Sequence, residues 1–123
     1  MAESIELLGI RTLKEVLAKQ GRRFENSDNK TFDLIVDGKY AEVKNKKKPY
    51  SQLDFLSFTD KQYDKILKEE FLIFLVCNVE NPERIEIYEF NSNELREKTP
   101  KKYTSHEFNK SVIDKISKTK YQQ

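Results

Sequence analysis

Apolar residues recur at Ile5, Leu8, Leu13, Val16 and Leu17, a spacing that lines one face of a 3.6-residue helix. Gly21 follows as a stop, so the pattern predicts an amphipathic helix from Ser4 to Gln20. Arg22 to Asn26 reads as a short strand, and the polar run Ser27-Asp28-Asn29-Lys30 as a turn. The period then shortens from helical to alternate. Thr31 to Val36 and Lys39 to Lys44 flank Asp37-Gly38, a dipeptide suited to a two-residue type I′ turn because both central residues need positive φ. The hairpin so formed carries Phe32, Leu34, Val36, Ala41 and Val43 on one face and Asp33, Glu42 and Lys44 on the other.

Lys46-Lys-Lys-Pro49 ends the second strand, and the stretch to Phe58 reads as a loop. Thr59 and Gln62 have the spacing of a capping box. They predict a helix to about Glu70 with Tyr63, Ile66 and Leu67 facing inward. Phe71 to Asn78 is a continuous apolar run of the kind found in central strands. After a turn at Asn81-Pro82, Arg84 to Phe90 alternates Ile85, Ile87 and Glu89 against Glu86, Tyr88 and Phe90. A second capping-box spacing, Thr104 to Glu107, predicts a last, basic helix over about 104–118, with Phe108, Val112 and Ile116 at four-residue intervals. The order is helix, strands, helix, strands, helix. It predicts an α/β fold with a central mixed sheet flanked by helices.

At 123 residues the chain is sized for one hydrophobic core, so residues 1–123 are expected to form one domain. Eight Phe and six Tyr supply the large side chains that a disordered chain of this polarity would lack. A lone cysteine, Cys77, inside the apolar run excludes an intramolecular disulfide and a cysteine-based zinc site. The acidic N-terminus and the absence of a membrane-length apolar stretch lead us to expect a cytoplasmic protein with no membrane partner.

The formal charge of +2 conceals an uneven distribution. Five lysines lie between Lys39 and Lys48 against Glu42 alone, Glu80 to Glu94 holds five glutamates and one arginine, and Arg96 to Lys120 holds eight basic residues and three acids. Such polarisation suits a polyanion on one side of the molecule.

The hairpin focuses this into chemistry. A turn at Asp37-Gly38 pairs Val36 with Lys39, Ile35 with Tyr40, Leu34 with Ala41, and Asp33 with Glu42. Two carboxylates then face each other at cross-strand distance, with Lys44 two residues along the same face. A one-residue slip would push them into the core, so the hydrophobic pattern defends this register. Opposed like charges repel, and a divalent cation is the natural remedy. Magnesium takes oxygen ligands and keeps several waters, so two carboxylates can suffice. An ordinary exposed charge cluster, with Lys44 as counterion, is the alternative.

Phe32-Asp33, followed after eight residues by Glu42-Val43-Lys44, resembles the PD-(D/E)xK nuclease motif, with strands and helices in that superfamily's order over roughly residues 4 to 90. Phe32 stands where the proline of the motif's name often lies. The chain looks most like small nuclease-like domains of the NO VEIN C-terminal type and, more distantly, archaeal Holliday-junction resolvases. The resemblance implies a restriction-endonuclease-like three-layer fold and hydrolysis of phosphodiester bonds in nucleic acid, chiefly DNA. It implies Mg2+ (with Mn2+ as a substitute) on Asp33, Glu42 and the backbone carbonyl of Val43, and Lys44 assisting hydrolysis.

In members with a glutamine on the helix after the Glu-x-Lys strand, that residue reaches the active site, and Gln62 matches the placement. Resolvase-like relatives use a first-helix glutamate at the metal. Glu6, between Leu13 and Leu17 on the helical wheel, is the counterpart here, although a first-turn acid is also favoured by the helix dipole. Lys46, Lys47 and Lys48 sit where phosphates flanking a scissile bond would lie. Tyr50 and Phe55 are candidates to stack on a base, with core packing the competing role for Phe55. His106 is expected at the surface. A two-fold dimer would let so small a chain cut two strands. The competing readings are a nuclease-fold nucleic-acid-binding module without turnover, and a protein-interaction domain of a defence or anti-defence system.

Overall fold

Ser4 opens the first helix by accepting the Leu7 N–H at 3.2 Å, and α1 runs over Ile5–Lys19. The computed structural model describes residues 4–102 and 105–121. Gly21, at φ 71°, closes the helix: its N–H donates to the Ala18 carbonyl and that of Arg22 to the Leu17 carbonyl. This paired closure requires a left-handed residue after the cap.

The strands β1 (Phe24–Asn26), β2 (Leu34–Val36) and β3 (Lys39–Asn45) form an antiparallel meander. Leu34 pairs with Ala41, Ile35 with Tyr40 and Val36 with Lys39, as the Asp37-Gly38 turn predicts. Both turn residues have positive φ, 51° and 81°, the geometry of a type I′ turn. After β3 comes a short 3-10 turn, Tyr50–Gln52, then β4 (Phe55–Phe58) and α2 (Asp60–Lys68). The chain returns as β5 (Leu72–Cys77), parallel to β3, because the intervening crossover lets a second strand run in the same direction. β6 (Glu86–Asn91) is antiparallel to β5. The remaining elements are α3 (Asn93–Arg96), β7 (Lys101–Lys102), β8 (His106–Asn109), α4 (Lys110–Asp114) and β9 (Thr119–Tyr121). The fold is α/β, with a mixed six-stranded sheet in the order β1-β2-β3-β5-β6-β9 and a three-stranded sheet β4-β8-β7.

Two apolar clusters lie on the two faces of the large sheet. Leu13, Val16 and Leu17 of α1 meet Leu34, Val36, Ala41, Val43, Leu72, Phe74 and Val76. On the opposite face, Ile73, Leu75, Cys77 and Phe90 meet Leu56 and Phe58 of β4, Ile66 of α2, Phe108 of β8 and Ile113 of α4. β5 is buried at every position, which is why its sequence shows no alternation. The side chains of β6 are divided between the two clusters, Ile87 to one and Phe90 to the other.

Four expectations need correction. The stretch up to Phe58 contains a strand: Leu56 and Phe58 alternate with half-buried Phe55 and Ser57. The last helix is not present over the described part of 104–118. His106 and Phe108 are buried while Glu107 and Asn109 point outward, so a two-residue period prevails and β8 pairs with β4. Only Lys110–Asp114 is helical, and Thr104 lies outside the described residues. Leu67 is 45% exposed, because the face of the short α2 centres on Ile66. Phe32 departs from the face of Leu34: it stacks on Tyr40 at 4.9 Å and joins the opposite cluster, since the regular ladder begins only at Leu34.

Arg22 closes the α1 side beyond the helix. Its guanidinium reaches Asp37 at 2.8 Å and the Tyr121 hydroxyl at 2.6 Å, and also donates to Glu89, which Tyr121 contacts in turn. The side chains of Arg22 and Glu89 are 20% and 14% exposed. Arg22→Ala leaves Glu89 without its cation and is expected to cost about 3 kcal/mol, read as a lowered midpoint in urea.

Candidate active site

Glu42 is 4% exposed, a rare position for a carboxylate unless partners surround it. Its partners come from three elements. On β3 itself, the Lys44 ammonium lies 3.8 Å from Glu42 Oε2. On α2, Gln62 donates from Nε2 to Glu42 and accepts from Lys44 Nζ at 3.1 Å through Oε1. At the end of β2, Asp33 lies beside it and supplies a neighbouring negative charge.

Asp33 takes this place by leaving the ladder. In a regular continuation Asp33 and Glu42 would form a non-hydrogen-bonded pair with the Asp33 N–H pointing away from β3, yet that N–H turns back to donate to the Ala41 carbonyl at 3.1 Å. The Val43 N–H, lacking a strand partner on that side, is met instead by Asp33 Oδ2 at 2.8 Å. The pairing of Asp33 with Glu42 is therefore a contact of side chains at a ladder end rather than a regular cross-strand pair. In a strand, the N–H and carbonyl of one residue point the same way, so the Val43 carbonyl projects from the edge that Asp33 borders.

Gln62 combines two roles. Its N–H donates to Thr59 Oγ1 at 3.2 Å and its Oε1 accepts the Thr59 N–H at 3.0 Å, completing the capping box of α2. The same amide faces Glu42 and Lys44, so the cap fixes the site's geometry. Phe58, the last residue of β4, lies under the Lys44 ammonium at 4.6 Å from its ring centroid. A cation over an aromatic face is held electrostatically. A loop over this segment would conceal Phe58, and the signal that reveals it is the Phe55-Leu-Ser-Phe alternation.

Burial, and then the neighbouring Asp33 carboxylate, push the Glu42 carboxyl up to about 9, with Lys44 opposing them. Burial also lowers Lys44, against the attraction of Glu42 and Asp33. The site is thus short of positive charge around its carboxylates, which a cation would supply. Among the described residues no group of three or more His, Cys, Asp or Glu side chains could hold a metal. Glu6 stands exposed in the first turn of α1 and adds no third carboxylate. The donors on hand are the two carboxylates and the Val43 carbonyl, an all-oxygen set that fits a hard cation retaining waters.

The other candidates lie around this centre unevenly. Lys46 and Lys48 pair with Asp54 at 3.3 Å and Glu80 at 3.2 Å, while Lys47 is exposed. All three line a small cavity of about 180 Å³ with Gln52, Leu53 and Asp54. Tyr50 is half-buried: its ring packs on Tyr88 at 4.7 Å and its hydroxyl donates to Asp114 at 2.6 Å. The two rings are tilted by 42°, and the Lys110 and Lys118 ammoniums lie 5.2 and 5.7 Å from the Tyr50 ring centroid. Phe55 is half-buried under Lys46. His106 is not at the surface; it stacks on Tyr63 at 4.0 Å and bonds Asp60 at 2.9 Å. A groove of about 520 Å³ lined by Leu7, Ile10, Lys14, Ala18 and Phe24 shares no residue with the carboxylate cluster.

No helix of the described residues is long and apolar enough to cross a membrane. Comparison with protein-family models, with curated proteins and with solved structures found no match.

Proposed function

We propose that this chain is a metal-dependent nuclease of the PD-(D/E)xK type, with a restriction-endonuclease-like fold, hydrolysing phosphodiester bonds in nucleic acid, chiefly DNA. The observation that carries this reading is the buried Glu42 carboxylate held against Asp33, Lys44 and Gln62. A purely structural ion pair has no use for a second carboxylate that pushes the first toward protonation. The meander β1-β2-β3, the helical crossover and the parallel β5 also match the order of elements that the motif implies.

In this reading Asp33, Glu42 and the Val43 carbonyl hold Mg2+, or Mn2+ in its place. When bound, such an ion lowers the pKa of a water and offsets charge on a phosphoryl group under attack. Lys44 places its ammonium beside the reacting phosphate, where it neutralises developing charge. Gln62 holds Lys44 and Glu42 apart at fixed positions, and its own cap bonds keep it from turning away. Lys47, together with Lys46 and Lys48 once they exchange their carboxylate partners for phosphates, steers the polyanion toward the site.

The direct experiment incubates the purified protein with single-stranded, duplex and branched DNA, and with RNA, in magnesium, in manganese and in chelator. Metal-dependent cleavage of at least one substrate is expected, and none on any substrate would reject the enzyme in favour of a binding module. Binding is separable from cutting. Replacing Lys46, Lys47 and Lys48 by Ala is expected to weaken DNA binding and to lower the slope of log K against log salt by about 1–3, since fewer counterions are released. Titrations at several salt concentrations read this, and an unaltered slope would assign the three lysines to ordinary surface.

A further inference from the structure

The β1 edge of the large sheet is matched to a copy of itself, and we propose that two chains associate there through antiparallel β1–β1 pairing about Phe24. Among the described residues β1 is the first strand in the sheet order, with β2 on one side only. The Asp37 N–H donates to the Arg23 carbonyl and the Arg23 N–H to the Asp37 side chain. Backbone groups alternate in direction along a strand. Those of Arg23 and Glu25 therefore point at β2, and those of Phe24 point outward. A two-fold axis through Phe24 lets the two residues exchange both N–H to carbonyl bonds.

The side chains carry the same symmetry. In that register Arg23 of one copy stands opposite Glu25 of the other, and Glu25 opposite Arg23. Opposite charges face each other twice, and all four side chains are exposed in the single chain. Phe24 meets Phe24 on the α1 side, where it borders the groove lined by Leu7, Ile10, Lys14 and Ala18. Leu7 is 61% exposed there, a large apolar side chain that the partner's Phe24 would cover. Arg11 and Glu15, 3.5 Å apart on the groove's rim, present both signs, so a symmetric partner meets no wall of like charge. An unrelated strand could use the backbone edge, but the paired charges and the aromatic centre specify a second copy.

This pairing does not depend on the nuclease reading, and its test uses no substrate. The full chain is followed by sedimentation equilibrium up to about 0.5 mM, a range that detects even millimolar association, with circular dichroism to verify the fold. Wild type is expected to dimerise. Arg23→Glu sets Glu against Glu25 twice and is expected to weaken the dimer at least about tenfold. Adding Glu25→Arg restores opposite charges and should recover the association. Leu7→Glu, at an exposed position, should also weaken it. A wild-type chain that stays monomeric overturns the proposal, as does an Arg23→Glu dimer of undiminished strength or a double variant that fails to recover.

Discussion

Glu42→Gln is expected to abolish cleavage while making the metal-free protein more stable. The amide keeps the shape of the carboxyl: its oxygen still accepts from Gln62, and its NH2 can donate to Asp33 at every pH, which the carboxyl does only while it holds its proton. The pH dependence follows from the raised Glu42 carboxyl, from an ordinary 4.5 up to about 9. A carboxyl whose folded value exceeds its unfolded value contributes stability that is fully present below about 4.5 and is lost as pH rises toward about 9. Wild type should therefore weaken over that window and the variant should not. The gain in the variant is near zero at pH 4.5 and reaches about 1–2 kcal/mol at pH 8, or roughly 5 °C in Tm. Saturating magnesium reverses the order, because only the wild type keeps both ligands and gains binding free energy in the folded state. Thermal melts at pH 4.5 and 8, with magnesium and with chelator, read all four quantities. A variant less stable than wild type at pH 8 in chelator would assign Glu42 to a structural ion pair.

Lys44→Ala is expected to fall at a different step. The ammonium is placed by Gln62 at 3.1 Å, by Glu42 at 3.8 Å and by the Phe58 ring at 4.6 Å, and it is not a metal donor. Its loss should lower kcat by about 10²–10³, the scale for one preorganised electrostatic group, and lower kcat/KM in the same proportion. Metal affinity should change by less, and in the weakening direction only through displaced Gln62. Isothermal titration with manganese beside single-turnover cleavage separates the two effects. Loss of metal binding equal to the loss of rate would mean that Lys44 holds the carboxylates rather than serving the reaction. Lys44→Arg provides a further distinction, because a forked guanidinium keeps the charge but cannot occupy the same point over Phe58.

Both results depend on a site of which part was legible in the chain and part was not. The Asp37-Gly38 turn and the alternation of Leu34, Val36, Ala41 and Val43 are local signals, and they determined the hairpin register that the structure shows. The capping box of Thr59 and Gln62 was equally local, and it determined where α2 begins. Such features follow from neighbours a few residues apart, whose conformational preferences act before the chain has a tertiary structure. The unbroken apolar run of β5 announced a strand covered on both faces.

What covers it was decided elsewhere. Phe55 to Phe58 and His106 to Asn109 are short, and neither pattern is decisive in isolation. The second holds a helical spacing through Phe108, Val112 and Ile116 as well as an alternating one. Pairing selects the alternating pattern, because Leu56 aligns with Phe108 and Phe58 with His106 and the four bury together. The same long-range pairing puts Phe58 under Lys44 and buries the sole histidine. Asp33 shows the complementary limit. The sequence determined that two carboxylates and a lysine gather near one hairpin. Only the tertiary structure ended the β2 ladder at Leu34, turned the Asp33 carboxylate onto the Val43 N–H, and enclosed Glu42 under α2, because backbone hydrogen bonds left open at a strand end are satisfied by whichever side chain folding brings within reach.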